Sequence, residues 1–222
     1  MAHIHEHALT QSIPTQPIPE FPELLGHGLR LRQWRADSDT DVDAWLRGMT
    51  DPDFRRWNTP IKPVTDLDSA RDSLGTRSAT AADGTRVSFC VTDISTGAIL
   101  GHLGINDIDP FMRLARVGYW VLPEARGKRV ATRSLTVGTR WAFDNLGLNR
   151  LELGHATGHE ASCRVAEHCG FQYEGTLRGA MFEEERQDVF RDVHLHARIA
   201  QDPEPDQETS TPTSTPTATA TP

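Results

Sequence analysis

The stretch "YWVLPEARGKRVAT", residues 119–132, carries the most informative pattern in the chain. It passes from an apolar run through a basic, glycine-containing turn into helix-like sequence. The residues 117–122 read as a strand ending at Pro123, and a helix is expected from Val130. A helix N-terminus carries unpaired N–H groups and the positive end of the helix dipole, so such a strand–turn–helix junction suits a phosphate or pyrophosphate. Arg126, Lys128 and Arg129 add positive charge at the same place. An ordinary basic loop would look the same on this stretch alone.

Upstream, "RVSFCVTDISTGAILGHLGINDID" (86–109) holds two alternating runs around Ser95-Thr96-Gly97 and predicts a hairpin. "RLARVGYWVL" (113–122) extends it to a three-stranded meander. "GLRLRQW" (28–34) and "RLELGHA" (150–156) alternate as strands. "DTDVDAWLRGM" (39–49), a segment near 66–78 and residues 130–146 read as helices. "EASCRVAEHCGF" (160–171) is a helix stopped at Gly170. "FQYEGTLRG" and "VFRDVHLHARI" supply the last strands. The mixed order predicts a single α+β (mixed α/β) domain over 28–200, with a largely antiparallel central sheet flanked by helices. Residues 1–27, rich in His, Pro and polar residues, read as a flexible arm. Residues 201–222 read as a disordered acidic, Thr/Pro-rich tail.

The 222 residues carry a formal charge of −8, which argues against general nucleic-acid binding. Four of those charges (Asp202, Glu204, Asp206, Glu208) sit in the tail, and removing them leaves −4 for the body. No apolar run approaches the ~20 residues of a membrane helix. The first residues lack the apolar core of a secretory signal. Three cysteines fit reduced thiols, so a cytoplasmic protein is expected.

From about Gly28 to Ile199 the chain resembles the GNAT acyltransferase superfamily, in its RimJ/RimL-like branch. The family's pyrophosphate signature, Arg/Gln-x-x-Gly-x-Gly/Ala, falls on Arg126-Gly127-Lys128-Arg129-Val130-Ala131, followed by Thr132. The pattern Asn-x-x-Ser before a helix and "GF" falls on His159-Glu160-Ala161-Ser162 and Cys169-Gly170-Phe171. "GYWVLPEARG", "LNRLEL", "RVAEHCGF" and "EGTLRGA" occur in the family's order. Two positions depart from it: Arg129 stands at a family glycine and His159 at the family Asn. Arg129 is compatible with the cradle if its φ is negative.

The resemblance implies splayed central strands and acetyl-CoA as acyl donor to a primary amine, on a protein N-terminus or a small molecule. A longer donor such as succinyl-CoA, or a CoA-binding sensor without catalysis, fits the same motifs. It implies cofactor contacts from Val121, Leu122, Arg126, Gly127, Lys128, Arg129, Val130, Ala131, Thr132, His159 and Ser162, with Val121 N–H as the oxyanion donor. Ser162 is expected to meet the thioester sulfur as proton donor or cofactor contact; the alternative is a serine satisfying helix N–H groups. Glu152 and His155 are candidates for the base, and Glu152 could instead pair with Arg150 or Arg164. Asp192 and the run Glu183-Glu184-Glu185 could face the acceptor or solvent. Trp57 lies where the acceptor pocket is expected, and a homodimer is left open. No metal is expected: His3, His5 and His7 alternate on an arm, Cys163 and Cys169 lie on different helix faces, and His194 and His196 read as exposed or substrate-side.

Overall fold

The structure, a computed structural model, describes residues 21–58, 62–183 and 186–205, apart from the side chains of Thr80, Ala82 and Gln187. Residues 1–20 of the arm, including His3, His5 and His7, lie outside the described residues, as do Glu184, Glu185 and residues 206–222 of the tail.

The described residues form an eight-stranded sheet in the order β1-β2-β3-β4-β5-β6-β8-β7. Its strands are β1 (Leu24–Gly26), β2 (Leu29–Gln33), β3 (Val87–Asp93), β4 (Ile99–Asp109), β5 (Leu114–Val121), β6 (Arg150–Ala156), β7 (Gln172–Glu183) and β8 (Arg186–Ile199). The helices are α1 (Asp39–Thr50), α2 (Pro52–Trp57), α3 (Leu67–Ala82), α4 (Val130–Asp144) and α5 (Glu160–His168). Every neighbouring pair is antiparallel except β5 and β6. Those two are joined through α4, the crossover that parallel strands require.

Local chemistry sets the element boundaries. Ser38 caps α1, its side chain accepting from the Asp41 N–H, and Asp66 with Ser69 forms a capping box at α3. In the β3–β4 turn Asp93 accepts from the N–H groups of Ser95 and Thr96 at 3.0 and 2.9 Å, and Gly97 takes φ +74. α5 ends at Gly170, whose φ is +77. Among the described residues no helix is long and apolar enough to cross a membrane.

The middle of the sheet is buried on both faces, whereas β7 is largely exposed. One core gathers Leu31, Phe89, Leu103, Leu135, Leu151 and Phe171. The other is built by Trp34, Trp45, Leu74 and Trp120. Gly48 in α1 makes that packing feasible: a Cβ there would fall 2.4 Å from the Trp120 ring.

Two segments differ from the sequence expectation. Residues 24–26, read as part of the arm, pair with β2, and Phe21 packs edge-on against Phe89 at 5.2 Å. Apolar burial at the sheet edge draws this end of the arm into the domain. Residues Pro52–Trp57, for which the sequence reading gave no helix, form the six-residue α2, with Asp51 capping it and Pro52 in its first turn.

Candidate active site

The site begins where two strands part. β5 and β6 pair only at Leu114–Arg116 with Arg150–Glu152 and carry no ladder beyond. On the other side, β5 stays paired with β4 up to Val121. The Leu122 N–H donates to Leu100 O at 2.9 Å, which makes 122 and 100 a hydrogen-bonded pair. Alternation along an antiparallel ladder then turns the N–H of Val121 away from β4, into the gap left by β6. A cavity of about 790 Å³ opens there, walled by α2, the end of β5, the following turn with the start of α4, and the start of α5.

The turn after β5 brings backbone amides to one rim. Gly127 and Arg129 both have left-handed backbone, with φ of +74 and +53. α4 starts at the next residue with no side-chain cap, so the N–H groups of its first turn remain for a ligand. Arg129 therefore takes the conformation that favours glycine, contrary to the negative φ that the sequence reading required of it. The turn dictates the backbone, and the arginine bears the strain of roughly 1–2 kcal/mol. Gly127, Arg129, Val130, Ala131 and Thr132 all line the cavity.

Arg126 lines it too, but its guanidinium is engaged elsewhere. It pairs with Asp51 and, at 2.8 Å, with Asp53, while Nε donates to Val121 O at 3.3 Å. Arg126 thus ties α2 to the cradle. Lys128 is exposed and outside the lining, and Leu122 is buried in the tryptophan core with its N–H already bonded.

Across the gap, Ser162 sits in the first turn of α5. Its Oγ lies 2.8 Å from Tyr119 Oη on β5, so the hydroxyl reaches the strand instead of capping its own helix. Burial pushes the Tyr119 phenol up, which keeps it protonated. His159 stacks flat on Trp57, with ring centroids 4.6 Å apart and planes within 1°. Burial, with the neighbouring His155 as the next cause, holds the His159 imidazole down at about 4, so it is neutral near pH 7. Arg191 donates to Arg56 O at 2.8 Å and fixes the end of α2 that carries Trp57.

The two candidates for the base stand outside the lining. Glu152 bonds Arg150 Nε at 3.0 Å and lies 3.6 Å from Arg116, while Arg150 also holds Glu174 at 2.8 and 2.5 Å. It belongs to an ion network beside the paired part of β5 and β6. His155 is buried behind His159, and Asp192 accepts from the Gly179 N–H at 2.9 Å. Tyr119 was missed from the sequence; its position two residues before Val121 on the same strand was the available signal.

The description "Acetyltransferase (GNAT) domain" belongs to the family model that matches residues 28–172. Among curated proteins, YdaF of Bacillus subtilis is 34% identical over 86 residues, 39% of this chain and 47% of YdaF. The ribosomal-protein-serine acetyltransferase of Escherichia coli is 29% identical over 101 residues, 46% of this chain and 55% of that protein. The chain thus spans about half the length of these two relatives. Among solved structures, Mycobacterium smegmatis RimJ in complex with CoA-disulfide superposes with a TM-score of 0.69 at 25% identity, covering 78% of this chain and 82% of RimJ.

Proposed function

This chain belongs to the acetyltransferase (GNAT) domain family, and from that premise we propose that it transfers an acetyl group from acetyl-CoA to a primary amine, with a protein N-terminus as the acceptor. The observation that carries the reading is the single cavity wall on which an uncapped helix start, a free strand N–H and the Tyr119–Ser162 pair meet. The RimJ complex supports the donor, and the name of the E. coli ribosomal-protein-serine acetyltransferase supports a protein acceptor.

In this reading the pyrophosphate of the donor lies on the N–H groups of Arg129, Val130, Ala131 and Thr132, at the positive end of the α4 dipole. The pantetheine arm runs past His159 into the gap between β5 and β6. The thioester carbonyl points its oxygen at the Val121 N–H, which stabilises the charge that develops as the amine adds. The amine attacks as its neutral form, forming the C–N bond, and the C–S bond breaks. Ser162 Oγ–H donates to the departing sulfur, and Tyr119, held protonated, donates to Ser162 in turn. The net proton on free CoA comes from the amine, so neither hydroxyl needs to ionise. Trp57 and His159 form the wall beside which the acceptor enters.

Release of free thiol from acetyl-CoA, measured over a panel of N-terminal peptides and small amines, tests the proposal. Turnover with peptides bearing a free N-terminus supports it. CoA binding without turnover of any acceptor would make the chain a sensor, and absence of CoA binding would remove both readings.

A further inference from the structure

Behind the cavity wall, two strands and a helix bring together four side chains that the transfer reaction does not use. His155 on β6 is the register partner of His194 on β8, and His196 lies two residues further along the same face. α5 covers that face and directs Cys163 at it. The four donor atoms, one from each residue, all lie within 4.8 Å of one another. We propose that His155, Cys163, His194 and His196 bind a zinc-class divalent metal ion as a closed, tetrahedral structural site.

Three observations carry this. Cys163 Sγ stands 3.6 Å from His196 Nε2. A tetrahedral edge between a nitrogen bonded at 2.1 Å and a sulfur bonded at 2.3 Å is about 3.6 Å, so that edge is already in place. The rest of the cluster has to draw in by roughly 1 Å, within reach of side-chain rotation.

His155 supplies the second observation. It is only 5% exposed, and its Nδ1 lies 3.1 Å from Ala156 O. A carbonyl can only accept, so Nδ1 carries the proton and Nε2 is left as a bare lone pair. That Nε2 is buried with no hydrogen-bond partner. Burying an unpaired polar atom is costly, and a metal-ligating histidine is normally oriented in this way by its other ring nitrogen.

The third is the crowding itself. The rings of His155 and His196 stack at 5.2 Å, and His194 meets His155 edge-on at 5.5 Å. Tyr173 closes the outer side against His194 and His196 at 5.2 and 5.5 Å. Such a group gains little from apolar contact and much from a shared cation. Without metal, the Cys163 thiol has Glu167 Oε1 at 3.7 Å as an acceptor. Binding releases that thiol proton and forms the sulfur–metal bond, with no change of oxidation state. Three nitrogens and one sulfur in tetrahedral array favour zinc over the oxygen-seeking cations. Cys163 directly follows Ser162, so the ion would clamp the first turn of α5 to the sheet and hold Ser162 opposite Tyr119.

The test uses the full chain without an affinity tag, reduced, metal-free and titrated with Co²⁺. His3, His5 and His7 could bind cobalt by themselves, so a His3→Ala/His5→Ala/His7→Ala variant is titrated in parallel. The expected result, in both proteins, is saturation at one ion per chain. It comes with the visible bands of tetrahedral cobalt and a near-ultraviolet thiolate charge-transfer band, and zinc displaces both. Cys163→Ser should lose the charge-transfer band and His194→Gln should weaken binding at least tenfold; both positions are partly exposed, and circular dichroism reports whether the fold is kept. Loss of all cobalt binding in the arm variant, or a spectrum unchanged by Cys163→Ser, would overturn the proposal.

Discussion

Tyr119 Oη and Ser162 Oγ meet at 2.8 Å across the opening between β5 and α5, 43 residues apart in the chain. One hydroxyl comes from a strand that leaves its neighbour, the other from the first turn of a helix. Their pairing forms part of the cavity wall, where the proposed reaction puts the thioester sulfur.

If this pair serves the leaving group, its loss should appear in turnover. Ser162→Ala is expected to lower kcat by about 10²-fold while the Kd for acetyl-CoA changes severalfold at most. Tyr119→Phe keeps Ser162 and removes one hydrogen bond, so about a tenfold loss is expected. Steady-state thiol release together with calorimetric CoA binding separates the two quantities.

Arg129 pays for a glycine-like backbone at φ +53. Arg129→Gly should relieve about 1–2 kcal/mol of strain. It gives back about 0.5–1 kcal/mol through the freer unfolded chain, leaving the variant equal or up to about 1.5 kcal/mol more stable. Its affinity for acetyl-CoA should change by no more than about 2 kcal/mol, the scale of one charge-assisted hydrogen bond. Urea denaturation and calorimetry check both numbers.

Arg126 holds the Asp51 and Asp53 carboxylates of the α2 start. The guanidinium is partly exposed, which moderates the cost of removing it. Arg126→Ala is expected to destabilise the fold by about 1–2 kcal/mol, less than the loss of a fully buried pair. Because α2 carries Trp57, the KM for the amine should rise more than that for acetyl-CoA.

Burial lowers His159 to about 4 and also lowers His155 and His196. The unfolded chain, with histidines near 6.5, therefore binds more protons than the folded one as pH falls. Stability contributed by His159 is fully present above pH 6.5 and is lost as pH drops towards 4. Urea midpoints measured with a chelator at pH 7 and pH 5 should fall for the wild type. They should fall less for His159→Gln.

Glu152 is held by Arg150 and Arg116 and does not line the cavity. Glu152→Gln is expected to leave kcat within about threefold, since no general base is lost. A loss of 10²-fold or more would return Glu152 to the reaction.

The legible parts of the sequence were those with local signals. Alternation over 86–122 announced the meander, and the glycine after Cys169 announced the end of α5. The β1 strand of three residues and the α2 helix of six were too short for any periodicity to emerge. Arg129 was visible as a departure, but its backbone sign depends on Gly127 and the start of α4 together. Tyr119 was hidden because its partner arrives from α5. The cluster of His155, Cys163, His194 and His196 is assembled by pairing β6 with β8, a long-range register that no spacing along the chain displays. Its one local trace was the alternation of His194 and His196.

Acetyl transfer at the β5–α5 opening is proposed to leave an acetylated peptide N-terminus. Mass spectrometry of an N-terminal peptide incubated with acetyl-CoA measures it directly, with wild type and Ser162→Ala at equal CoA saturation. The wild type should add one acetyl group at the α-amine, and the variant should do so at a rate about 10²-fold lower. Equal rates in the two proteins would contradict it, as would acetyl-CoA binding with no acetylated peptide.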